Sequence, residues 1–289
     1  MVDPEEDRLP ETPDLAGAAS VGPAPAYSIV IPVHNEAECL AEEVEGLTEE
    51  MEARGVDYEL LLAENGSSDA TGAIAEALAE VNPRIKVLRL PVPDYGAAMK
   101  AGMLAGRGDL IVNFDIDYHD VDFIVKAGDV LAGGAGELRT AGTGGARVEG
   151  GAAGVSTGVS AAAPGIVVGS KLVEGSEDRR SPVRHFISLG FTTILRVLFD
   201  RHMDDTHGMK VLRREVVARY APKTIMTTDL FDTELIIRAR RGGVAVHALP
   251  VTVEEKRKPR SSIARRIPRT IRNLIRLRLT LWKEGRPGA

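Results

Sequence analysis

An apolar run that ends in two closely spaced carboxylates constrains the fold of this chain more than any other stretch. The run covers residues 110–114, and Asp115 and Asp117 follow it. Such a run is typical of a buried strand in a parallel sheet. Two ionised carboxylates separated by one residue repel each other, and a cation offsets that cost. Oxygen ligands of this kind suit Mg²⁺ or Mn²⁺, which share their coordination shell with water or a diphosphate. A solvated acidic turn after the strand is the alternative interpretation.

Strands and helices alternate upstream of this run. Strand patterns cover residues 28–33, 59–63 and 85–90, and helical patterns fill the intervals. This alternation predicts an α/β fold whose parallel strands are joined by right-handed crossovers. Polar clusters follow the first, second and fourth strands, at residues 34–36, 64–67 and 115–117. Because ligands bind beyond the carboxyl ends of parallel strands, we expect the three clusters to share one rim of the sheet.

Local signals give the expected ends of several elements. Asn35 and Glu38 have the spacing of a capping box, which predicts a helix start. Ser68 or Asp69 is expected to cap the second helix. In the second half we predict strands at 166–168 and 244–249, helices at 186–199 and 232–240, and a polar turn at 204–210.

Composition divides the chain into three parts. Residues 1–26 are acidic and proline-rich without periodicity, which predicts a disordered leader. Residues 27–255 are expected to form the globular body, interrupted by a flexible Gly/Ala-rich insertion at 131–164. The single cysteine excludes an internal disulfide, and the first residues lack the pattern of a secretory signal. No apolar run approaches the roughly 18 residues that spanning a bilayer needs. We therefore expect the protein on the cytoplasmic side.

Residues 256–289 are a basic tail on an otherwise acidic chain. The tail has twelve Lys/Arg and a single acidic residue, whereas the formal net charge of the whole chain is −6. Pro268 is expected to divide the tail into two short helices. Apolar residues recur in it at roughly helical spacing, namely Ile263, Ile267, Ile271, Leu274, Ile275, Leu281 and Trp282. This pattern predicts peripheral binding to the anionic inner face of the plasma membrane. Nucleic acid is the rival interpretation of these arginines, but it is not expected as a partner, because aromatic stacking residues are absent there and the body is acidic.

The motifs, taken in their order, resemble family 2 glycosyltransferases of the GT-A fold, and most closely the branch that acts on polyprenyl phosphate. Residues 31–36 are similar to the opening strand of the family, 64–71 to the turn after its second strand, and 115–117 to its metal motif. Two later family turns usually carry arginine, and here they have Lys171 and Lys210. The likeness spans about 27–282. It implies a Rossmann-like, mixed but mainly parallel sheet flanked by helices.

The resemblance implies a set of site residues. The nucleotide would contact Pro32, Val33, Glu36, Glu64, Gly66, Ser67 and Asp115. The metal, Mg²⁺ or Mn²⁺, would be held by Asp115, Asp117 and His119. The acceptor phosphate would be bound by Lys171, Arg184, Lys210 or the region of Arg260. The family turn with two aspartates has Glu64 and Asn65 here, which leaves the choice of base open.

The implied reaction is inverting transfer of a hexose, mannose or glucose, from a nucleotide-diphosphate sugar to a polyprenyl phosphate. Asp117 would act through the metal on the leaving diphosphate. A phosphate acceptor is already ionised, whereas a hydroxyl acceptor would need Asp232 or Glu234 to remove its proton. One alternative is therefore a soluble hydroxyl acceptor, with the tail as a homo-oligomer contact. The other is a nucleotide-sugar binding protein without turnover.

Overall fold

The computed structural model describes residues 23–133, 164–171, 173, 176–178, 182–201, 203, 206, 208–227, 230–253 and 263–285. Most of the predicted leader and insertion therefore lies outside the described residues, as do residues 256–262 at the start of the tail. Their predicted character remains an expectation.

Strands and helices alternate along the described chain. The strands are β1 (Tyr27–Val33), β2 (Tyr58–Asn65), β3 (Ile85–Leu90), β4 (Leu110–Asn113), β5 (Ile166–Ser170), β6 (Glu177–Asp178), β7 (Lys210–Arg213), β8 (Val246–Pro250) and β9 (Thr252–Val253). The helices are α1 (Leu40–Ala53), α2 (Thr71–Val81), α3 (Tyr95–Ala105), α4 (Val121–Leu131), α5 (Pro182–Leu198), α6 (Arg214–Tyr220), α7 (Phe231–Arg241) and α8 (Ile263–Glu284).

A mixed sheet joins seven of these strands in the order β3-β2-β1-β4-β7-β5-β8. β1 is parallel to β2 and β4, β2 is parallel to β3, and β5 is parallel to β8. β7 runs antiparallel to both of its neighbours, β4 and β5. Because β4 and β5 both oppose β7, they point the same way. The carboxyl ends of β1, β2, β4 and β5 therefore meet at one edge of the sheet.

Helices cover both faces of the sheet, because successive side chains of a strand point to opposite sides. Within β1, Ile29 and Ile31 join a core with α1, α2 and α4. Val30 joins a second core with α3, α5, α6, α7 and α8. This three-layer arrangement confirms the predicted α/β class with a mainly parallel sheet.

Most predicted elements form, with differences that have physical reasons. The predicted capping box is wrong, because α1 begins at Leu40 and has no side-chain cap. The Asn35 carboxamide is used elsewhere, since its oxygen accepts a hydrogen bond from Ser68 N at 2.8 Å. The predicted polar turn leads directly into β7, a short strand that the sequence pattern did not reveal.

The tail also differs from its prediction. α8 is a single helix that contains Pro268, so the expected division into two helices is wrong. Pro268 lies in the second turn, where a proline removes one backbone hydrogen bond near the helix end. Leu274, Leu277 and Leu281 of this helix are buried in the second core and hold it against the body. Among the described helices, none combines the length and the apolarity that a membrane span requires.

Candidate active site

The three predicted polar clusters lie side by side at the carboxyl edge of the sheet. β1 is hydrogen-bonded to β2 on one side and to β4 on the other, and all three run in the same direction. Their following loops begin at His34, after Asn65 and after Asn113. The predicted shared rim is therefore confirmed.

Hydrogen bonds join the loop after β1 to the loop after β2. His34 Nδ1 lies 2.8 Å from the carbonyl oxygen of Asn65, and Asn35 N donates to Ser67 Oγ at 3.0 Å. Glu36 N donates to Thr71 Oγ1 at 2.8 Å. Asn35 has a positive φ of 55°, a conformation that asparagine tolerates better than most residues. The two loops therefore form one rigid wall of the rim.

The loop after β2 is held by its own residues. Glu64 is buried, and its Oε1 accepts a hydrogen bond from Ser67 N at 2.6 Å. Gly66 has a φ of +59°, and a Cβ there would lie 2.9 Å from the carbonyl carbon of Val92. Glycine is therefore required at this position both by conformation and by space. Of the predicted nucleotide residues, Val33 has its side chain in the core, so only its backbone can face the rim.

The acidic pair lies in a tight turn after β4. Tyr118 N donates to the carbonyl oxygen of Asp115 at 3.0 Å, and Ile116 between the two carboxylates is buried. Asp115 is exposed, and its Oδ1 accepts a hydrogen bond from Tyr95 Oη at 3.1 Å. Asp117 is half-buried. The turn thus anchors itself through Ile116 and presents its carboxylates at the rim.

Although part of Asp115 reaches solvent, protein atoms surround the rest of its side chain and remove water from it. This desolvation raises the pKa of the Asp115 carboxyl above its ordinary value. The hydrogen bond from Tyr95 and the charge of Lys210 oppose the rise, whereas the negative charges of Asp232 and Asp117 add to it. The carboxylates of the rim therefore repel one another, as the sequence predicted for the acidic pair.

The donors of this turn fit a divalent cation that is shared with a substrate. Two oxygen donors, Asp115 and Asp117, follow one strand, and among the described residues no three His, Cys, Asp or Glu side chains cluster to hold a metal. Mg²⁺ and Mn²⁺ are commonly held by one or two carboxylates together with phosphate oxygens, without a cage made of protein alone. His119 does not complete a set of three. Its Nδ1 lies 3.9 Å from Glu43 Oε2 of α1.

A buried ion pair lies beside the acidic turn. Lys210 Nζ, at the start of β7, donates to Asp232 Oδ2 at 2.7 Å and to the carbonyl oxygen of Gly208 at 2.7 Å. Asn113 Nδ2 donates to the same Oδ2 at 3.1 Å. Asp232 Oδ1 is buried and has no hydrogen-bond partner in the described part of the chain. One carboxylate oxygen is thus fixed by two donors, and the other is available as an acceptor.

The predicted acceptor-phosphate residues separate in the structure. Lys210 is 1% exposed and neutralised by Asp232, which makes it a charge partner in the core and a poor phosphate ligand. Lys171 directly follows β5 at the rim and is half-buried. Arg184 lies in α5, but its side chain is outside the described residues, and Arg260 lies outside them entirely.

Glu234 cannot act as the predicted catalytic base, because its carboxylate is fully used. Its Oε2 accepts hydrogen bonds from Ile225 N at 2.9 Å and Met226 N at 2.7 Å, and Oε1 accepts from Arg238 Nε at 2.7 Å. The side chain is completely buried, and this burial raises its pKa despite the opposing effect of Arg238. Glu234 therefore holds the chain before α7 in place. Asp232 is the remaining candidate of the two.

Two residues of the site, Asn113 and Tyr95, were not predicted from the sequence. Asn113 is 2% exposed at the end of β4, so a polar residue inside an apolar run was the available signal. Tyr95 had no such signal. It is the first residue of α3, and its hydrogen bond to Asp115 forms between elements that are brought together by the tertiary fold.

Comparison with known proteins finds a family match for one stretch of the chain. Residues 28–120 match the model of Glycosyl transferase family 2. This range contains β1 to β4 and both carboxylates of the acidic turn. The resemblance drawn from the sequence motifs is confirmed.

Similar proteins extend the likeness beyond this range. A dolichyl-phosphate beta-glucosyltransferase of Trichomonas vaginalis is 26% identical over 250 residues, which are 81% of this chain and 65% of that protein. An undecaprenyl-phosphate 4-deoxy-4-formamido-L-arabinose transferase of Enterobacter sp. is 41% identical over 92 residues, 31% of this chain and 28% of that protein. The chain thus spans just under two thirds of the first relative and a smaller part of the second.

A solved structure shows the same fold. Glucosyl-3-phosphoglycerate synthase of Mycobacterium tuberculosis, in complex with Mn²⁺, uridine diphosphate and glucosyl-3-phosphoglycerate, superposes with a TM-score of 0.54. The superposition covers 89% of this chain and 79% of that chain, at 19% identity. At this identity the comparison supports the GT-A fold.

Proposed function

We propose a reaction for this chain on the premise that its residues 28–120 match the model of Glycosyl transferase family 2. The protein is a metal-dependent, inverting glycosyltransferase that moves a hexose from a nucleotide-diphosphate sugar to a polyprenyl phosphate. The observation that carries this proposal is the placement of Asp115 and Asp117 beside the Lys210–Asp232 pair, on a rim that also contains the loops after β1 and β2.

The nucleotide is assigned to the wall formed by the loops after β1 and β2. The carboxylate of Glu36 and the backbone beside Gly66 and Ser67 can contact a base or a ribose, because carboxylates and carbonyls accept hydrogen bonds from hydroxyl and N–H groups. Glu64 contributes through the shape of its turn, since its Oε1 is already hydrogen-bonded to Ser67 N. Because hydrogen bonds already fix the two loops of this wall, nucleotide binding would cost less conformational entropy.

The diphosphate is assigned to the acidic turn. Asp115 and Asp117 would hold Mg²⁺ or Mn²⁺, which when bound supplies positive charge to the leaving diphosphate. Tyr95 Oη orients Asp115 from the start of α3. Without such neutralisation, the negative diphosphate and the carboxylates of the rim would repel one another.

The transfer itself needs an acceptor oxygen in line with the leaving group. A bond forms between this oxygen and the anomeric carbon, while the bond from that carbon to the diphosphate oxygen breaks and the nucleoside diphosphate leaves with the electron pair. A phosphate acceptor is ionised near neutral pH, so positioning is the main requirement. Among the described residues, we assign Lys171 to binding the acceptor phosphate. Support for a polyprenyl phosphate comes from the two similar transferases whose names specify dolichyl and undecaprenyl phosphate.

Asp232 is assigned to the sugar side of the rim. Its Oδ2 is fixed by Lys210 and Asn113, and its buried Oδ1 has acceptor capacity that a sugar hydroxyl would satisfy. If the acceptor were a soluble hydroxyl compound, the same oxygen would be the proton acceptor. The Asp232→Asn variant distinguishes these roles. It lowers transfer at all pH values if Asp232 binds the donor, and it removes the acidic limb of the pH profile if Asp232 is the base.

Organic extraction tests the proposed acceptor. The purified protein is incubated with UDP- or GDP-linked radioactive hexose, Mn²⁺ and a polyprenyl phosphate, and the product is partitioned between water and organic solvent. We expect radioactivity in the organic phase only when the lipid phosphate is present. A water-soluble glycoside formed without the lipid would replace this acceptor with a hydroxyl compound. Absence of any transfer under all donor and acceptor combinations would favour a binding protein without turnover.

A further inference from the structure

The outer side of α8 has an apolar stripe that the rest of the described chain leaves exposed. The helix packs on the body through Leu274, Leu277 and Leu281. Five further large apolar side chains are exposed, namely Ile267, Ile271, Ile275, Leu279 and Trp282. With about 3.6 residues per turn, spacings of three and four place these five on one side of the helix, next to the buried leucines. We call them the outer stripe.

Positive charges border the outer stripe. Arg272, Arg276 and Lys283 are exposed, and their helical positions place them along the edge of the stripe that is remote from the body. The one acidic residue of α8, Glu284, faces the body instead. It accepts hydrogen bonds from Arg238 Nη1 at 2.8 Å and from Nη2 at 3.1 Å. Arg278 is also exposed, and its helical position places it within the outer stripe, beside Ile271 and Ile275. The outward side of the helix therefore has an apolar stripe with one positive charge inside it and a row of three along its edge.

The body holds α8 so that this side remains outward. The Arg238–Glu284 pair fixes the end of the helix to α7, and Arg241 Nη2 donates to the carbonyl oxygen of Leu281 at 3.1 Å. The three buried leucines fix the middle and the end of the helix. The sequence pattern had combined Leu274 and Leu281 with the outer residues into one apolar face. The structure separates them into two.

We propose that the outer stripe of α8 lies in the interface of an anionic lipid bilayer while the inner leucines stay packed on the body. The apolar residues would enter the boundary between head groups and acyl chains, and the three cations would contact acidic head groups. A second copy of the chain is a poorer occupant, because a stripe facing its own copy would bring two rows of positive charge together. The surface thus docks the whole enzyme, with α8 as a fixed part of the body.

Trp282 gives a direct readout, because it is the only tryptophan of the chain. The full-length protein is mixed with vesicles of phosphatidylcholine alone or with about one-third phosphatidylglycerol, and fluorescence and sedimentation are recorded. We expect a blue shift of Trp282 emission, quenching by brominated acyl chains, and co-sedimentation with the anionic vesicles. Neither readout requires turnover, so failure of membrane binding and failure of the proposed reaction are distinguishable.

Variants separate the two parts of the surface. Ile271→Asp with Ile275→Asp should weaken binding on the order of tenfold or more, because two apolar side chains are lost from the lipid boundary. Arg272→Gln with Arg276→Gln should weaken binding to anionic vesicles by about fivefold for each charge. Val81→Asp is the matched control. Val81 is an apolar residue whose exposed fraction is 80%, and its helix α2 lies on the other face of the sheet from α8.

Three results would overturn the proposal. The first is unchanged vesicle binding in the Ile271/Ile275 variant. The second is sedimentation with anionic vesicles without any shift or quenching of Trp282 emission. The third is a wild-type dimer that dissociates in the Ile271/Ile275 variant while neither protein binds vesicles, which would make the stripe a contact between two copies. Equal binding by wild type and the Val81 control, with loss in the stripe variants, would support it.

Discussion

Removing the cation from the Lys210–Asp232 pair should destabilise the protein strongly. Lys210 is 1% exposed and Asp232 is 5% exposed, so the pair is almost completely excluded from solvent. Lys210→Met takes away the 2.7 Å contact to Asp232 Oδ2, and only the 3.1 Å hydrogen bond from Asn113 remains. Oδ1 already lacks a partner among the described residues. Breaking a buried pair by removing one partner costs about 3–5 kcal/mol, because a buried charge is left uncompensated.

Urea unfolding of the purified variant measures this loss in the free energy of unfolding. The double variant Lys210→Met/Asp232→Asn should recover at least about 2 kcal/mol of it, because the carboxamide carries no charge and can still accept from Asn113. Lys126→Met is the matched control, since Lys126 is an exposed lysine on α4, and a change within about 0.5 kcal/mol is expected there. A loss below about 1 kcal/mol for Lys210→Met, or no recovery in the double variant, would mean that removal of the lysine leaves no uncompensated charge at Asp232.

Four further predictions concern the rim. Asp115→Ala and Asp117→Ala should each lower the rate of hexose transfer at least about a hundredfold with unchanged circular dichroism, and near-normal turnover would contradict the assignment of the acidic turn. Tyr95→Phe should weaken Mn²⁺-dependent nucleotide binding severalfold in calorimetry and leave stability nearly unchanged; equal affinities would remove its orienting role. Gly66→Ala should lower the free energy of unfolding, measured with urea, by about 1–3 kcal/mol. Gly46→Ala should not destabilise the protein, because a Cβ at this position on the surface of α1 has nothing within 4 Å. Glu234→Gln should lower stability by about 1–3 kcal/mol while the folded enzyme keeps the pH profile of the wild type, and a shifted profile would restore Glu234 as a base.

The sheet and its rim were accessible from the sequence, because local patterns determine them. Alternation of strand and helix patterns up to residue 114 implies parallel pairing, and parallel pairing brings the loop after each strand to one edge. The observed parallel pairing of β1 with β2 and with β4 agrees with this expectation. β7 was not accessible, because its four residues begin at Lys210, whose charge is neutralised by Asp232 on α7, far away in the sequence. Pairing between residues far apart in the chain leaves no local pattern to detect.

Most of the remaining differences between the sequence predictions and the structure concern residues that could form either of two tertiary or local contacts. Asn35 has the spacing of a helix cap, yet its carboxamide bonds the neighbouring loop at Ser68. Glu234 is an acidic residue in a motif segment, yet two backbone amides and Arg238 occupy it. On α8, helical periodicity identifies apolar residues on two adjacent sides, and only packing shows that Leu277 faces the body and Ile275 faces outward. Sequence patterns name the candidates, and the tertiary contacts select among them.

Mn²⁺ binding at the acidic turn can be measured by titration followed by electron paramagnetic resonance, because free and bound Mn²⁺ give different signals. We expect the wild-type protein to take up free Mn²⁺ strongly only when UDP or GDP is also present, because Asp115 and Asp117 would share the cation with a diphosphate. Asp117→Ala should abolish this nucleotide-dependent uptake. Equal Mn²⁺ uptake by wild type and Asp117→Ala in the presence of nucleotide would mean that the acidic turn does not hold the cation.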